Sequence, residues 1–409
     1  MNFNEKLEQY ANVIIGMGIQ VNEGQPLVIS ADVRDAEFVQ TLTKKAYEKG
    51  ASEVMVDWSH TEIKKLFYEN VSEEVLTTPH PWLKEKYQAL VDMNAAYLSI
   101  RRIPYKSNKD LDPSLMRKEM MGHSEVSKIR RDQMSKALRS WCLVQLPDEE
   151  WAEVVFPELE PEKALEKLWD HVFSIMRVDQ EDPLQAWRDH ASTLKAMKDQ
   201  LNHARYDSLH FKSSTCDLII DLVKDHNWQG GEKENEFKQT FIANMPTEEV
   251  HTMPEKTGVN GWVKNTKPLY INGKEIDDFK ITFKDGQVTD YEAAVGEEVL
   301  KEHFTTDEGA RYLGEVAIVT HSSPISQSGV IFKSTLYDEN ASCHLAFGSA
   351  YPSSLRGGKD MDEEQLIKAG ANRSLTHVDF MIGSADLNIY GIKDDQQTLI
   401  FKNGEWHQE

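Results

Sequence analysis

The periodicity of apolar residues changes near residue 230, and that change restricts the chain to two halves built on different plans. Before it, short apolar runs alternate with amphipathic helical stretches. Pro26 to Ser30 reads as a first strand. Ala36 to Lys49 then carries Phe38, Leu42 and Ala46 at helical spacing, with Gly50 where a C-cap glycine belongs. Val54-Met55-Val56 reads as a second strand and Ala95 to Ile100 as a third. This strand–helix–strand rhythm implies an α/β layer with a partly parallel sheet. Two longer helices follow. One starts at Pro161 and carries Leu165, Leu168, Val172 and Ile175; the other starts near Pro183 and carries Leu184, Trp187, Ala191 and Leu194. Gln229-Gly230-Gly231-Glu232 marks the change of character. Beyond it lie mostly short strands and turns: Leu269 to Gly273, Phe279 to Phe283, Val316 to Val319, Val330 to Phe332, Phe380 to Ile382 and Leu399 to Phe401. Asp285-Gly286 is a hairpin signal among them. The expected organisation is an α/β domain over residues 1–230 and a β-rich (α+β) domain over residues 231–409.

Composition narrows the function classes. A length of 409 residues supports two domains, and 40% hydrophobic with 28% charged residues is ordinary for a soluble globular protein. The start, Met1-Asn2-Phe3-Asn4-Glu5-Lys6, lacks the basic and apolar regions of a signal peptide. No stretch approaches the roughly 18 uninterrupted apolar residues of a membrane span. Cys142, Cys216 and Cys343 are widely spaced and odd in number, which fits neither a disulfide framework nor a Cys-x-x-Cys zinc module. A cytoplasmic protein is expected, in which any metal is held by His, Asp and Glu. The net charge of −22 repels phosphate backbones and anionic lipid, so neither nucleic acid nor membrane is expected as a partner. It is compatible with cationic ligands such as metal ions or the ammonium group of a peptide. No Gly-x-Gly-x-x-Gly or P-loop supports a nucleotide.

Four segments of the second half set potential metal ligands beside apolar strands. They are Asn244 to Val250, Leu313 to Val319, Asp338 to His344 and His377 to Gly383. In an extended strand, residues i and i+2 share a face and lie roughly 6.5–7 Å apart. His377 and Asp379 can therefore converge on a pair of metals about 3.5–4 Å apart while Val378, Phe380 and Ile382 fill a core. Glu315 opens the apolar strand Val316-Ala317-Ile318-Val319, where a buried carboxylate is costly unless paired or coordinated. His321 has the same parity, but six residues at roughly 3.3 Å each put it about 20 Å away, outside any site built on Glu315. Glu248 and Glu249 point to opposite sides of an extended segment, so one of them serves a site and the residues alone do not say which. Glu339 and His344 flank a loop of small residues that lets side chains turn inward.

Taken together, these segments resemble the aminopeptidase T / aminopeptidase S family of bacterial metallo-aminopeptidases. The resemblance runs from Tyr10-Ala11 and the turn Asn22-Glu23-Gly24-Gln25-Pro26-Leu27 to the last strands. Its most specific blocks are Pro246-Thr247-Glu248-Glu249-Val250, Gly314-Glu315-Val316-Ala317, Glu339-Asn340-Ala341-Ser342-Cys343-His344 and His377-Val378-Asp379-Phe380-Met381-Ile382-Gly383. By position, the resemblance implies metal ligands at Glu249, Glu315, Glu339, His344, His377 and Asp379, with Glu315 bridging two ions. It implies a tyrosine beside the metals at Tyr351, placed to donate to a developing oxyanion. It further implies two divalent ions per subunit (Zn, Co, Mn or Mg), a metal-bridged water as nucleophile, peptide substrates and a homodimer that walls off its active sites. Two other readings compete. A different di-metal hydrolase, amidohydrolase-like, is expected to carry His-x-His or Asp-x-His clusters, and a non-catalytic small-ligand binding protein is expected to hold no metal.

Overall fold

Leu27, Val28 and Ile29 are apolar without alternation because both faces of their strand are covered. That strand, β1 (Leu27–Asp32), lies inside a four-stranded sheet with β2 (Val54–Ser59), β3 (Ala96–Arg101) and β4 (Trp141–Gln145), in the order β2-β1-β3-β4. Every pairing in it is parallel, where the sequence suggested only a partly parallel sheet. Parallel neighbours need crossover connections, and helices supply them. Ala36–Glu48 joins β1 to β2, burying Phe38, Val39, Leu42 and Ala46. Pro161–Ile175 starts with proline in its first turn, where the missing N–H is no loss, and buries Ala164, Leu168, Val172, Phe173 and Ile175.

The computed structural model describes residues 1–106, 111–271 and 274–407. They divide into one unit of Met1–Ala191 with Glu232–Pro246 and another of Ser192–Gly231 with Thr247–Glu409. A single cut after residue 230 was expected; the chain instead changes unit after residues 191, 231 and 246. The first change falls within the helix α1 (Pro183–Ala204). Its Trp187 Nε1 donates to Met176 O at 2.7 Å, whereas its Leu194, Met197 and Leu201 belong to the main core of the second unit. One amphipathic helix thus serves two cores. Among the described residues no helix is long and apolar enough to cross a membrane, and all three cysteines are free and buried.

The second unit holds two antiparallel sheets. The larger has nine strands: β5 (Ser208–Ser213), β6 (Cys216–Leu222), β9 (Pro254–Lys264), β10 (Leu269–Ile271), β11 (Lys274–Lys284), β12 (Gln287–Val295), β16 (Asn388–Lys393), β17 (Gln396–Lys402) and β18 (Glu405–Trp406). Asp285-Gly286 forms the expected two-residue hairpin between β11 and β12, both residues with positive φ (50° and 78°) as a type I′ turn demands. Of the expected segment Leu269 to Gly273, Asn272 and Gly273 lie outside the described residues. The smaller sheet runs β15-β14-β13-β8-β7, with β7 (Gln229–Gly230), β8 (Glu249–Thr252), β13 (Leu313–Val319), β14 (His344–Gly348) and β15 (His377–Met381).

Val330 to Phe332, expected as a strand, is irregular. Its backbone finds a carboxylate instead of a neighbouring strand. Phe332 N–H donates to Asp338 Oδ1 at 2.8 Å and Ser334 N–H to Asp338 Oδ2 at 3.0 Å.

Candidate metal centre

The five-stranded sheet separates chemistry from packing by strand parity. Val250, Val316, Ile318, Leu345, Phe347 and Phe380 are buried in the main core on one face. The other face takes the intervening residues, and the register lines them up. His251 pairs with Ala317, and Ala317 with His344; Glu315 pairs with Ala346, and Ala346 with Asp379. Alanines between the functional side chains leave room for them to converge. A bulge between Leu313 and Glu315 sets this alignment. Gly314 occupies it because a Cβ there would stand 2.3 Å from Gly348 O.

Glu315 is 4% exposed and lies at the middle of the group. Its Oε1 is 3.4 Å from His251 Nδ1 and 3.6 Å from His344 Nε2, and its Oε2 is 3.9 Å from His377 Nε2. Glu249 Oε1 accepts from His251 Nδ1 at 2.9 Å, and Glu249 Oε2 is 3.2 Å from His344 Nε2. His377 Nε2 is 3.4 Å from Asp379 Oδ1. Two sets of potential ligands result, Glu249–Glu315–His344 and Glu315–His377–Asp379, each with donor atoms within 4.8 Å of one another. Glu315 belongs to both.

The two ligand-like imidazoles are oriented from behind. His344 Nδ1 donates to Ser342 O at 3.2 Å and His377 Nδ1 to Ser349 O at 2.8 Å. Carbonyl oxygens only accept, so Nδ1 carries a proton in both rings and Nε2 faces the carboxylates. That is the tautomer a metal-binding histidine needs.

Electrostatics in the cluster are strongly coupled. Burial resists ionisation of Glu249, yet His251 and His344 outweigh it and hold the carboxyl well below the usual range. Asp379 is likewise buried and held down by His377. Burial opposes protonation of both imidazoles, but their carboxylate partners raise His344 well above the ordinary value and His377 to about 9. Glu339 goes the other way: burial and then the charges of Asp379, Glu249 and Glu315 push its carboxyl well above the ordinary range. So much negative charge in little space is relieved by a multivalent cation, and the donors fit one chemically. Carboxylate oxygens with imidazole nitrogens suit divalent ions of borderline hardness.

Of the residues singled out in the sequence, Glu249, Glu315, His344, His377 and Asp379 meet in this cluster. Glu339 lies in the short turn Glu339–Ala341 before β14, outside both sets, and lines an adjoining cavity with His377 and Asp379. Glu248 belongs to neither set; its backbone N–H donates to Asn340 Oδ1 at 2.7 Å. Tyr351 has its ring 4.7 Å from that of His377, centroid to centroid. Tyr351 is half exposed as a residue, but desolvation of its hydroxyl beside the cluster and repulsion by four carboxylates, Glu315 and Asp379 foremost, raise its pKa strongly, so the phenol keeps its proton. His321 engages Ser326 and Gly404 instead. His251 escaped the sequence reading. The signal was available, since Glu249-Val250-His251 repeats the carboxylate–imidazole spacing of two that drew attention to His377 and Asp379.

A sheet face that gathers buried carboxylates and oriented imidazoles around one shared glutamate defines the class of metal-dependent hydrolases. Within that class the chain belongs to the M29 family of thermophilic metalloproteases, whose sequence profile matches residues 3–406. It is 41% identical over 406 residues to Aminopeptidase 2 of Geobacillus stearothermophilus, covering 99% of this chain and 98% of the relative. It is 42% identical over 410 residues to aminopeptidase AmpS of Bacillus subtilis, covering 99% of each. The solved structure of wild-type AmpT from Thermus thermophilus matches with a TM-score of 0.91 at 34% identity, covering 100% of both chains. Membership of a metallopeptidase family carries the use of divalent metal.

Proposed function

We propose that this chain is a metal-dependent aminopeptidase that releases N-terminal residues from short peptides, using two divalent ions held by Glu249, Glu315, Glu339, His344, His377 and Asp379. The observation that carries this reading is the division of Glu315: one carboxylate oxygen faces His344 and the other faces His377. A bridging carboxylate needs that arrangement. The aminopeptidase names of the relatives support the choice of peptide N-termini as substrate. Glu339 joins the set on resemblance and on charge, because a dication among Asp379, Glu249 and Glu315 would let its carboxyl ionise. Zinc, cobalt, manganese and magnesium all suit four carboxylates and two imidazoles.

When bound, divalent ions supply Lewis-acid polarisation of the scissile carbonyl and acidify the attacking water. The remaining work falls to the chain. Ser342 O and Ser349 O hold the two imidazoles in one tautomer and orientation. His251 positions Glu249 and Glu315 by facing an oxygen of each. The Tyr351 phenol keeps its proton and donates it in a hydrogen bond to the oxyanion that develops on the carbonyl. The same proposal places the enzyme in the cytoplasm as a homodimer; light scattering should return the mass of two chains, and the mass of one would remove the dimer.

A short peptide offered with a free and with an acetylated N-terminus tests the activity. Stepwise release of N-terminal residues from the free peptide alone is expected. Equal cleavage of both forms, or cleavage at internal bonds, would favour an amidohydrolase-like or endopeptidase reading instead.

A further inference from the structure

The cavity beside the cluster has a wall that the metal chemistry leaves unused. Its volume is about 140 Å³, well above the roughly 10–15 Å³ needed to admit a single water. That volume is the scale of one amino-acid side chain. Glu339, His377 and Asp379 form part of its lining, and Leu269, Tyr270 and Met381 give it an apolar part. Among the described residues Lys333 is the only lysine or arginine in that lining.

The position of Lys333 is built rather than incidental. Its backbone is left-handed, with φ 54°, a conformation uncommon outside glycine and concentrated at functional sites. Buried Asp338 holds it there, because its two oxygens accept the N–H groups of Phe332 and Ser334, one on each side of the lysine. The ammonium lies 5.7 Å from the centroid of the Tyr270 ring, within cation–π reach. Tyr270 is itself fixed by donating its hydroxyl to Glu275 Oε2 at 2.7 Å.

We propose that this cavity is a subsite for a carboxylate of the substrate, which the Lys333 ammonium receives. The proposal rests on the peptidase reading, since the Glu339, His377 and Asp379 side of the cavity is where the scissile bond would lie. Glu339 and Asp379 on that side are committed to metal in that reading, and the Asp338 oxygens accept backbone N–H groups, so on the remaining wall the Lys333 ammonium is the charge offered to a substrate group. A carboxylate can arrive in two ways, as the acidic side chain of the N-terminal residue or as the free C-terminus of a dipeptide.

Two matched pairs of compounds separate the sources: glutamyl-glycinamide against glutaminyl-glycinamide, and leucyl-glycine against leucyl-glycinamide. In metal-loaded enzyme, the carboxylate member of one pair should be favoured about 10-fold in kcat/KM, the size expected of a charge-assisted hydrogen bond. In Lys333→Met that ratio should fall to near one, and Lys333→Arg should restore most of it. Equal rates within both pairs, or a preference that survives Lys333→Met, would overturn the subsite. Loss of hydrolysis of all four compounds would count against the peptidase reading instead, and titration calorimetry with the same pairs would still read the carboxylate preference without turnover.

Discussion

Glu315 places one carboxylate between two imidazoles whose other partners differ, Glu249 for His344 and Asp379 for His377, so loss of its charge is felt in both halves of the cluster. Glu315→Gln keeps the shape but would not offset the two dications proposed here. Its metal content, measured by elemental analysis, should fall together with peptidase activity, while His321→Ala should keep its metal because His321 bonds to Ser326 instead. Equal metal loss in the two variants would place the centre elsewhere. The role proposed for Tyr351 is donation to an oxyanion, and removing one such donor costs about 10²–10³ in kcat. Tyr351→Phe should show that loss with unchanged metal content; a normal kcat would leave Tyr351 a packing partner of His377.

The strand explains which residues could be read in advance. A period of two is intrinsic to extended backbone, so His377 and Asp379 were visible as a pair from spacing alone. His251 obeys the same rule in β8, two residues after Glu249. Between-strand register could not be read, because Ala317 and Ala346, which make the space for the cluster, owe their places to partners far away in sequence. Val330 to Phe332 misled for a related reason: an apolar run looks like a strand until Asp338 claims its N–H groups.

The turn after β6 carries an acid-sensitive element. His226 is 2% exposed, its Nδ1 donates to Val223 O at 3.0 Å, and its Nε2 has no hydrogen-bond partner among the described residues. Burial lowers its pKa from 6.5 to about 4. The folded ring stays neutral where the unfolded ring takes a proton. This group's contribution is therefore complete above pH 6.5, declines as the pH falls toward 4, and levels off below. At about 1.4 kcal/mol per pH unit the loss is on the order of 3 kcal/mol. Denaturant unfolding between pH 4 and 7 should show a flatter acid limb in His226→Phe, even with lower stability at pH 7 from the lost bond to Val223. An unchanged slope would assign the acid sensitivity to other groups.

For the whole molecule, the sequence showed two building plans and their order, because helical and strand periodicities differ. It did not show that the chain changes unit three times. The apolar stripe of α1 looks the same whichever core receives it, so Trp187 and Leu194 gave no sign of belonging to different units. The candidate centre lies wholly in the second unit, and every residue proposed to hold metal comes from its smaller sheet or the turn before β14. The central claim is that this one sheet face binds two ions and that hydrolysis depends on them. The direct measurement strips the protein of metal by chelation, then titrates zinc or cobalt back while bound metal and release of an N-terminal residue are followed together. No hydrolysis is expected in the stripped protein, with full activity as binding approaches two ions per chain. Undiminished hydrolysis in the stripped protein would contradict dependence on the two ions.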